Sequence, residues 1–169
     1  MAPDRIAVNV SMMQFRQSNF IDVVQDALHE SGLSPHDLEL EITESMTMLG
    51  SSSIQESLST LKKLGIQIAI DDFGTGFSSL SYLDKLPIDR LKIDRAFVNQ
   101  IDSTEGPRIA ELVTQLGGKL GLKVIAEGIE SQTHWDALLS MGCTEGQGYH
   151  IAYPMDEAKL LGWIADWRK

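Results

Sequence analysis

The sequence predicts an α/β fold built on a parallel sheet. Short apolar runs of strand length alternate with amphipathic runs of helix length. The alternation recurs about every 30 residues, the size of a βα unit. Nearly every strand-like run also ends in polar, chemically capable residues, as strands do at the C-terminal edge of parallel sheets.

Arg5–Val10 reads as the first strand, with Ile6, Val8 and Val10 alternating with Ala7 and Asn9. A helix follows with Phe20, Val23, Val24, Ala27 and Leu28 on one face, stopping at Gly32. Leu38–Ile42 is the second strand. A helix from about Ser53 holds Ile54, Leu58, Leu61 and Leu64 in register, and Gly65 ends it. Gln67–Asp71 is the third strand and Arg90–Ile93 the fourth. Pro107 stands at the first helical position of a segment carrying Ile109, Leu112, Val113 and Leu116, which Gly117-Gly118 breaks. Lys123–Ala126 is the fifth strand. Ser131 caps a helix with Trp135, Leu138 and Leu139. A short sixth strand surrounds Gln147–Tyr149. A last helix, from about Asp156, carries Leu160, Leu161, Ile164 and Trp167.

A chain of 169 residues suits one domain, 1–169, and no low-complexity linker divides it. The repeat has the size of a (β/α)8 unit, but such a barrel needs about 250 residues. With six strands, an open doubly wound sheet and a barrel missing its beginning both remain open on this reading.

Apolar content of 43% and charged content of 22% fit a soluble globular domain. The net charge of −10 argues against DNA or RNA as a partner, since nonspecific binding needs a basic surface. It leaves room for a nucleotide held through metal ions. The one cysteine, Cys143, permits no internal disulfide and fits a reducing, cytoplasmic setting. Met1–Arg5 lacks the apolar core of a signal peptide, and no segment has the length of a membrane span. No membrane contact is therefore expected of this segment, although a membrane anchor elsewhere in a parent protein stays open.

The most informative stretch is Asp71-Asp72, at the end of an apolar strand and directly before Phe73-Gly74-Thr75-Gly76. Adjacent carboxylates repel, and desolvating them unpaired is costly. A divalent cation removes that cost. Comparable groups close every other strand: Asn9 and Ser11, Glu41 and Glu44, Lys92 and Asp94, Glu127 and Glu130, and Gln147. Strand parity places Asn9 with Ala7, Asp71 with Ala69 and Glu127 with Ile125 on one face. Any one of these residues reads as a helix cap or loop residue, but the shared parity points to a common centre. Asn with several carboxylates is a hard oxygen set, suited to Mg²⁺ or Mn²⁺ over Zn²⁺. Lys92 among them either neutralises the carboxylates or serves a phosphate oxygen or an attacking water. Gly74–Ser79 partly matches Gly-x-Gly-x-x-Gly, but Ser79 replaces the third glycine and two carboxylates precede the turn. His29, His36 and His134 are expected at the surface, while His150 is a candidate to line the site.

Together these segments resemble the EAL domain, a family of cyclic di-GMP phosphodiesterases. They are Val8-Asn9-Val10-Ser11, Glu39–Glu44, Asp71–Gly76, Leu91-Lys92-Ile93-Asp94, Val124–Glu130 and Gly146-Gln147-Gly148-Tyr149, in family order. The resemblance implies a TIM-barrel-like (β/α)8 EAL fold, here incomplete and lacking about its first two strands. It implies two Mg²⁺ or Mn²⁺ ions, with Ca²⁺ inhibitory, and hydrolysis of cyclic di-GMP to linear pGpG. On the matched positions Asn9, Glu41, Asp71, Asp72 and Glu127 resemble metal ligands, with Asp71 between the ions. Lys92 matches a lysine on the catalytic water, and Glu127 alternatively a base. Gln147 resembles a residue that holds the metal-water site or substrate. Glu44 resembles the glutamate anchoring the Phe73–Ser79 loop. Asp94 and Glu130 belong to the same network, Glu130 more loosely. The Glu-Ala-Leu triplet that names the family is absent; it is expected roughly 60 residues before Asn9. Its glutamate is a metal ligand, so impaired hydrolysis by this chain is expected. The competing reading is a non-catalytic module that binds cyclic di-GMP or a partner. Unpaired parallel edges beside the first and last strands lead us to expect a homodimer or a strand-exchanged oligomer.

Overall fold

The computed structural model describes residues 5–48, 52–76, 83–103 and 107–167. Its centre is a parallel sheet of six strands: β1 (Ile6–Asn9), β2 (Leu38–Thr43), β3 (Gln67–Phe73), β4 (Arg90–Ile93), β5 (Lys123–Glu127) and β6 (Glu145–Gln147). Their spatial order equals their chain order. A doubly wound sheet reverses direction at a switch point. This sheet has none, which decides for the incomplete (β/α)8 type over the open alternative.

The described α-helices are α1 (Met12–Phe15), α2 (Phe20–Ser31), α3 (Glu44–Met48), α4 (Ser52–Lys63), α5 (Arg95–Val98), α6 (Arg108–Leu120), α7 (Gln132–Ser140) and α8 (Glu157–Trp167). The core lies between the helices and one face of the sheet. Leu40, Ile42, Ile68, Ile70, Leu91, Ile93 and Ala126 are buried there with Val24, Leu58, Leu61, Val98 and Val113. Each fully buried Leu or Ile contributes about 1.5–3 kcal/mol. The opposite face carries Ala7, Glu41, Arg90, Ile125 and Gln147 around an open concavity of about 410 Å³. Among the described residues no helix is long and apolar enough to cross a membrane.

Most expected boundaries hold within two residues, and three details differ. Gly117-Gly118 does not break α6, which continues to Leu120 and ends at Gly121 in the left-handed region (φ 70°). A Cβ at Gly117 would overlap Val124, so this glycine serves close helix–strand packing. Pro107 is the cap of that helix rather than its first residue. β6 lies at Glu145–Gln147, earlier than the expected Gln147–Tyr149. Beyond Gln147 the chain hooks around the exit of β5: Ile129 N donates to Gln147 O (3.1 Å) and His150 N to Ile129 O (2.9 Å).

Candidate active site

The pairing of β3 with β4 explains how two consecutive aspartates reach one site. Ile70 pairs with Leu91 and Phe73 with Ile93, so Asp71 and Asp72 together oppose Lys92. This is a β-bulge, an extra residue on one strand. In a regular strand the two side chains would point to opposite faces. The extra residue is accommodated by Asp72 at φ 55°, a left-handed conformation costly outside glycine. Gly74 follows at φ 97°. Buried Glu44, at the start of α3, accepts hydrogen bonds from Gly74 N (2.8 Å) and Gly76 N (3.4 Å). Residues 77–79 of the expected Phe73–Ser79 loop lie outside the described residues.

Lys92 is the hub. Its Nζ lies 2.6 Å from Glu41 Oε2, 2.6 Å from Glu127 Oε1 and 3.2 Å from Asp71 Oδ1. Its side chain is 3% exposed. The terminus of the Asn9 amide reaches the same carboxylates. With its nitrogen turned inward, Asn9 donates to Glu41 Oε2 (3.3 Å) and Asp71 Oδ2 (3.2 Å). Asp72 neighbours Asp94, whose Oδ1 accepts from Ala96 N (2.7 Å) and caps α5.

One ammonium thus serves three carboxylates, and the titration shifts reflect that imbalance. Burial alone would lower the Lys92 pKa, but its hydrogen bonds to Glu127 and Glu41 and the nearby Asp71 charge raise it instead. Glu127 is also raised, because burial and the charges of Asp71 and Glu41 outweigh the help from Lys92. Asp72 is raised by burial, by the Asp71 charge and by Asp94 beside it. The cluster holds more negative charge than its one cation neutralises.

A second charged layer lies one step down the same strands. Arg90 Nε is 3.2 Å from Glu39 Oε2 and its Nη1 is 2.5 Å from Glu145 Oε2. Arg5 Nη1 is 3.2 Å from Glu39 Oε2. Reading strand ends alone missed this layer. The signal was there: Glu39, Arg90 and Glu145 each precede a site residue by two positions and share its face.

The structure therefore brings Asn9, Glu41, Asp71, Lys92 and Glu127 together, and Asp72 and Asp94 beside them. Gln147 is exposed and lines the open face near Glu41. Glu44 supports the turn from the helix side. Glu130 is exposed and is not one of the carboxylates paired with Lys92. His150 is exposed, with Nε2 3.2 Å from Gln132 Oε1, away from Lys92. His29 and His36 are exposed as expected. His134 is not: it is buried at the start of α7, with its backbone N–H on the Ser131 cap and its ring Nε2 2.9 Å from Asp102 Oδ2.

As the side chains stand, no three His, Cys, Asp or Glu among the described residues form a ready metal cage, since Lys92 draws the carboxylates to itself. The donor set nevertheless fits a hard cation. It is all oxygen and excess in negative charge. Turning the Asn9 amide over would bring its oxygen to the two carboxylate oxygens it faces, an arrangement that a cation stabilises.

Comparison with known proteins settles the lineage. A family model described as the EAL domain matches residues 1–154. The chain belongs to the EAL domain family. Over 161 residues it is 40% identical to the bifunctional diguanylate cyclase/cyclic di-GMP phosphodiesterase MucR of Pseudomonas aeruginosa, covering 95% of this chain and 24% of MucR. The solved MucR phosphodiesterase in complex with c-di-GMP is similar in structure, with a TM-score of 0.88 and 40% identity, over 92% of this chain and 64% of that one. Klebsiella pneumoniae BlrP1, solved as a manganese/cy-diGMP complex, matches with a TM-score of 0.80 and 30% identity, over 89% of this chain and 39% of that one. BlrP1 has also been solved as a calcium/cy-diGMP complex. Neighbouring EAL structures thus carry divalent metal together with the dinucleotide. The chain spans about a quarter of the length of the curated relatives it matches.

Proposed function

We propose that this EAL domain hydrolyses one phosphodiester of cyclic di-GMP, giving linear pGpG, with two Mg²⁺ or Mn²⁺ ions. The observation that carries the reading is the Lys92 hub with three carboxylates, flanked by the bulged Asp72. Asn9, Glu41, Asp71, Asp72 and Glu127 would hold the metals. Bound there, the ions would polarise the phosphoryl group and lower the pKa of the attacking water. Lys92 orients that water and steadies charge growing on the phosphate oxygens. Glu127, whose pKa is raised by burial, would take the water's proton. Water adds across one P–O bond, leaving a phosphate monoester on one nucleoside and a hydroxyl on the other. Gln147, which lines the open face, would contact the substrate or the attacking water there. Asp94 flanks Asp72, and Glu44 fixes the turn at Gly74. We assign the bacterial cytoplasm as the site of action.

The sequence contains no Glu-Ala-Leu triplet, so one metal ligand of the family is absent from this polypeptide. Hydrolysis by the 169-residue chain is expected to lie orders of magnitude below that of a form containing the triplet. The test is chromatographic detection of pGpG after incubation with cyclic di-GMP and Mn²⁺, for both forms. Equal rates would overturn the metal assignment. The second reading is a binding module without turnover. Calorimetry with Ca²⁺ and cyclic di-GMP separates them: tight binding with no pGpG from either form supports the module. The exposed β1 edge, where Ile6 and Val8 are 46% and 43% exposed, supports self-association of the chain, to be read by light scattering.

A further inference from the structure

We propose that Ala69 is a positioning residue for the Lys92 hub: its small side chain leaves the space through which carboxylates on β2 reach cations on β4. The inference rests on the two-metal reading of the same site.

Adjacent strands lie about 4.8 Å apart, so β2 and β4 are roughly 10 Å apart with β3 between them. Both charged layers nevertheless bridge that gap. Glu41 on β2 meets Lys92 on β4 at 2.6 Å, and Glu39 on β2 meets Arg90 on β4 at 3.2 Å. Their side chains must pass over β3. Ala69 is the residue at that crossing, in register with Glu41 on one side and Arg90 on the other. It shares its face with Asp71 by strand parity, and it does not belong to the helix-side core cluster. By that parity it lies on the concavity's side of the sheet, yet it is 0% exposed and does not line the concavity itself. The two ion pairs that span β3 on either side of it are the groups placed to cover it. A β-branched residue would place two more heavy atoms between the ion pairs, at a position with no solvent-exposed space to receive them. Lys92 and Glu41 would be pushed apart, and with them the carboxylates that face the metals.

The test uses this chain with Ala69→Gly, Ala69→Thr and Ala69→Val. Mn²⁺ affinity is read by electron paramagnetic resonance and melting temperature is read without metal. Thr and Val share a shape but differ in polarity. A steric role predicts that both weaken Mn²⁺ binding about tenfold or more, the usual consequence of disturbing groups that orient ligands. Gly should stay within about threefold of wild type. The loss should also shrink in a Lys92→Met background, because the pair that Ala69 accommodates is gone. If Val does not fold, Thr carries the comparison. Wild-type affinity in a folded Thr or Val variant overturns the proposal. So does loss of folding in both, which would assign Ala69 to stability alone. Absence of Mn²⁺ binding by the wild-type chain would overturn the two-metal reading itself, and this inference with it.

Discussion

Two charged layers stand one above the other inside this sheet, and they are built differently. The lower layer is balanced in that no carboxylate is in surplus: Arg5, Arg90 and, at 3.9 Å, Lys123 face Glu39 and Glu145. The upper layer is not: Lys92 alone faces Glu41, Asp71 and Glu127, with Asp72 and Asp94 beside them. Each layer has a buried central cation, Lys92 at 3% and Arg90 at 7% exposed, but the rim of the lower layer is more open, with Glu145 38% exposed. The surplus of carboxylates is what sets the upper layer apart. A balanced layer satisfies itself and holds strands in register, whereas an unbalanced one keeps a capacity for further cations.

Removing the central cation from each layer breaks the comparison most severely. Lys92→Met leaves three carboxylates without their ammonium and should cost about 3–5 kcal/mol of stability without metal. Arg90→Met should cost less, about 1–3 kcal/mol, because Glu39 keeps Arg5 and the half-exposed Glu145 keeps Lys123 nearby. Mn²⁺ should restore much of the loss in Lys92→Met and little in Arg90→Met. Urea unfolding with and without Mn²⁺ checks both, and equal rescue would erase the distinction between the layers. In the wild-type chain, Mn²⁺ at a hundred times its dissociation constant should add about 2.7 kcal/mol, reversed by a chelator. A melting temperature indifferent to Mn²⁺ would contradict this.

Asp72→Gly sharpens the comparison from the other side. It relieves a left-handed conformation and deletes a carboxylate whose pKa is raised by burial and by Asp71. The apo chain should gain about 1 kcal/mol while Mn²⁺ binding weakens, so the strain is the cost of the site. Destabilisation of the apo variant would refute that view.

The smallest effect is with pH. Asp72 and Glu127 are raised above 3.8 and 4.5 by burial and neighbouring carboxylates. A carboxylate raised on folding stabilises the chain below its unfolded value and loses that contribution as pH rises through its folded value. Their contribution to apo stability should therefore decline above about pH 4–5. Mn²⁺ should flatten the decline by favouring the ionised forms. Calorimetric melting across that range, with and without Mn²⁺, would show it.

Much of this was legible in the sequence, because strand parity has period two and side chains obey it. Asn9, Glu41, Asp71, Lys92 and Glu127 fell on one face by counting alone, and the fold brings them together. Asp72 was harder. Parity assigns it to the opposite face, and only the register shift between Ile70 and Phe73 turns it back. A bulge is a property of two strands, so one strand's sequence does not display it. Gly117 misled for a related reason: its role lies in contact with Val124, not in its own helix. His134 is buried against Asp102, 32 positions away in sequence, where helical periodicity carries no information.

The central claim is that the unbalanced layer is a metal site, and paramagnetic resonance titration of Mn²⁺ tests it most directly. Wild type and Arg90→Lys, which keeps the lower layer charged, should bind Mn²⁺ saturably, and Asp71→Asn should not. Equal Mn²⁺ binding by wild type and Asp71→Asn would contradict the account.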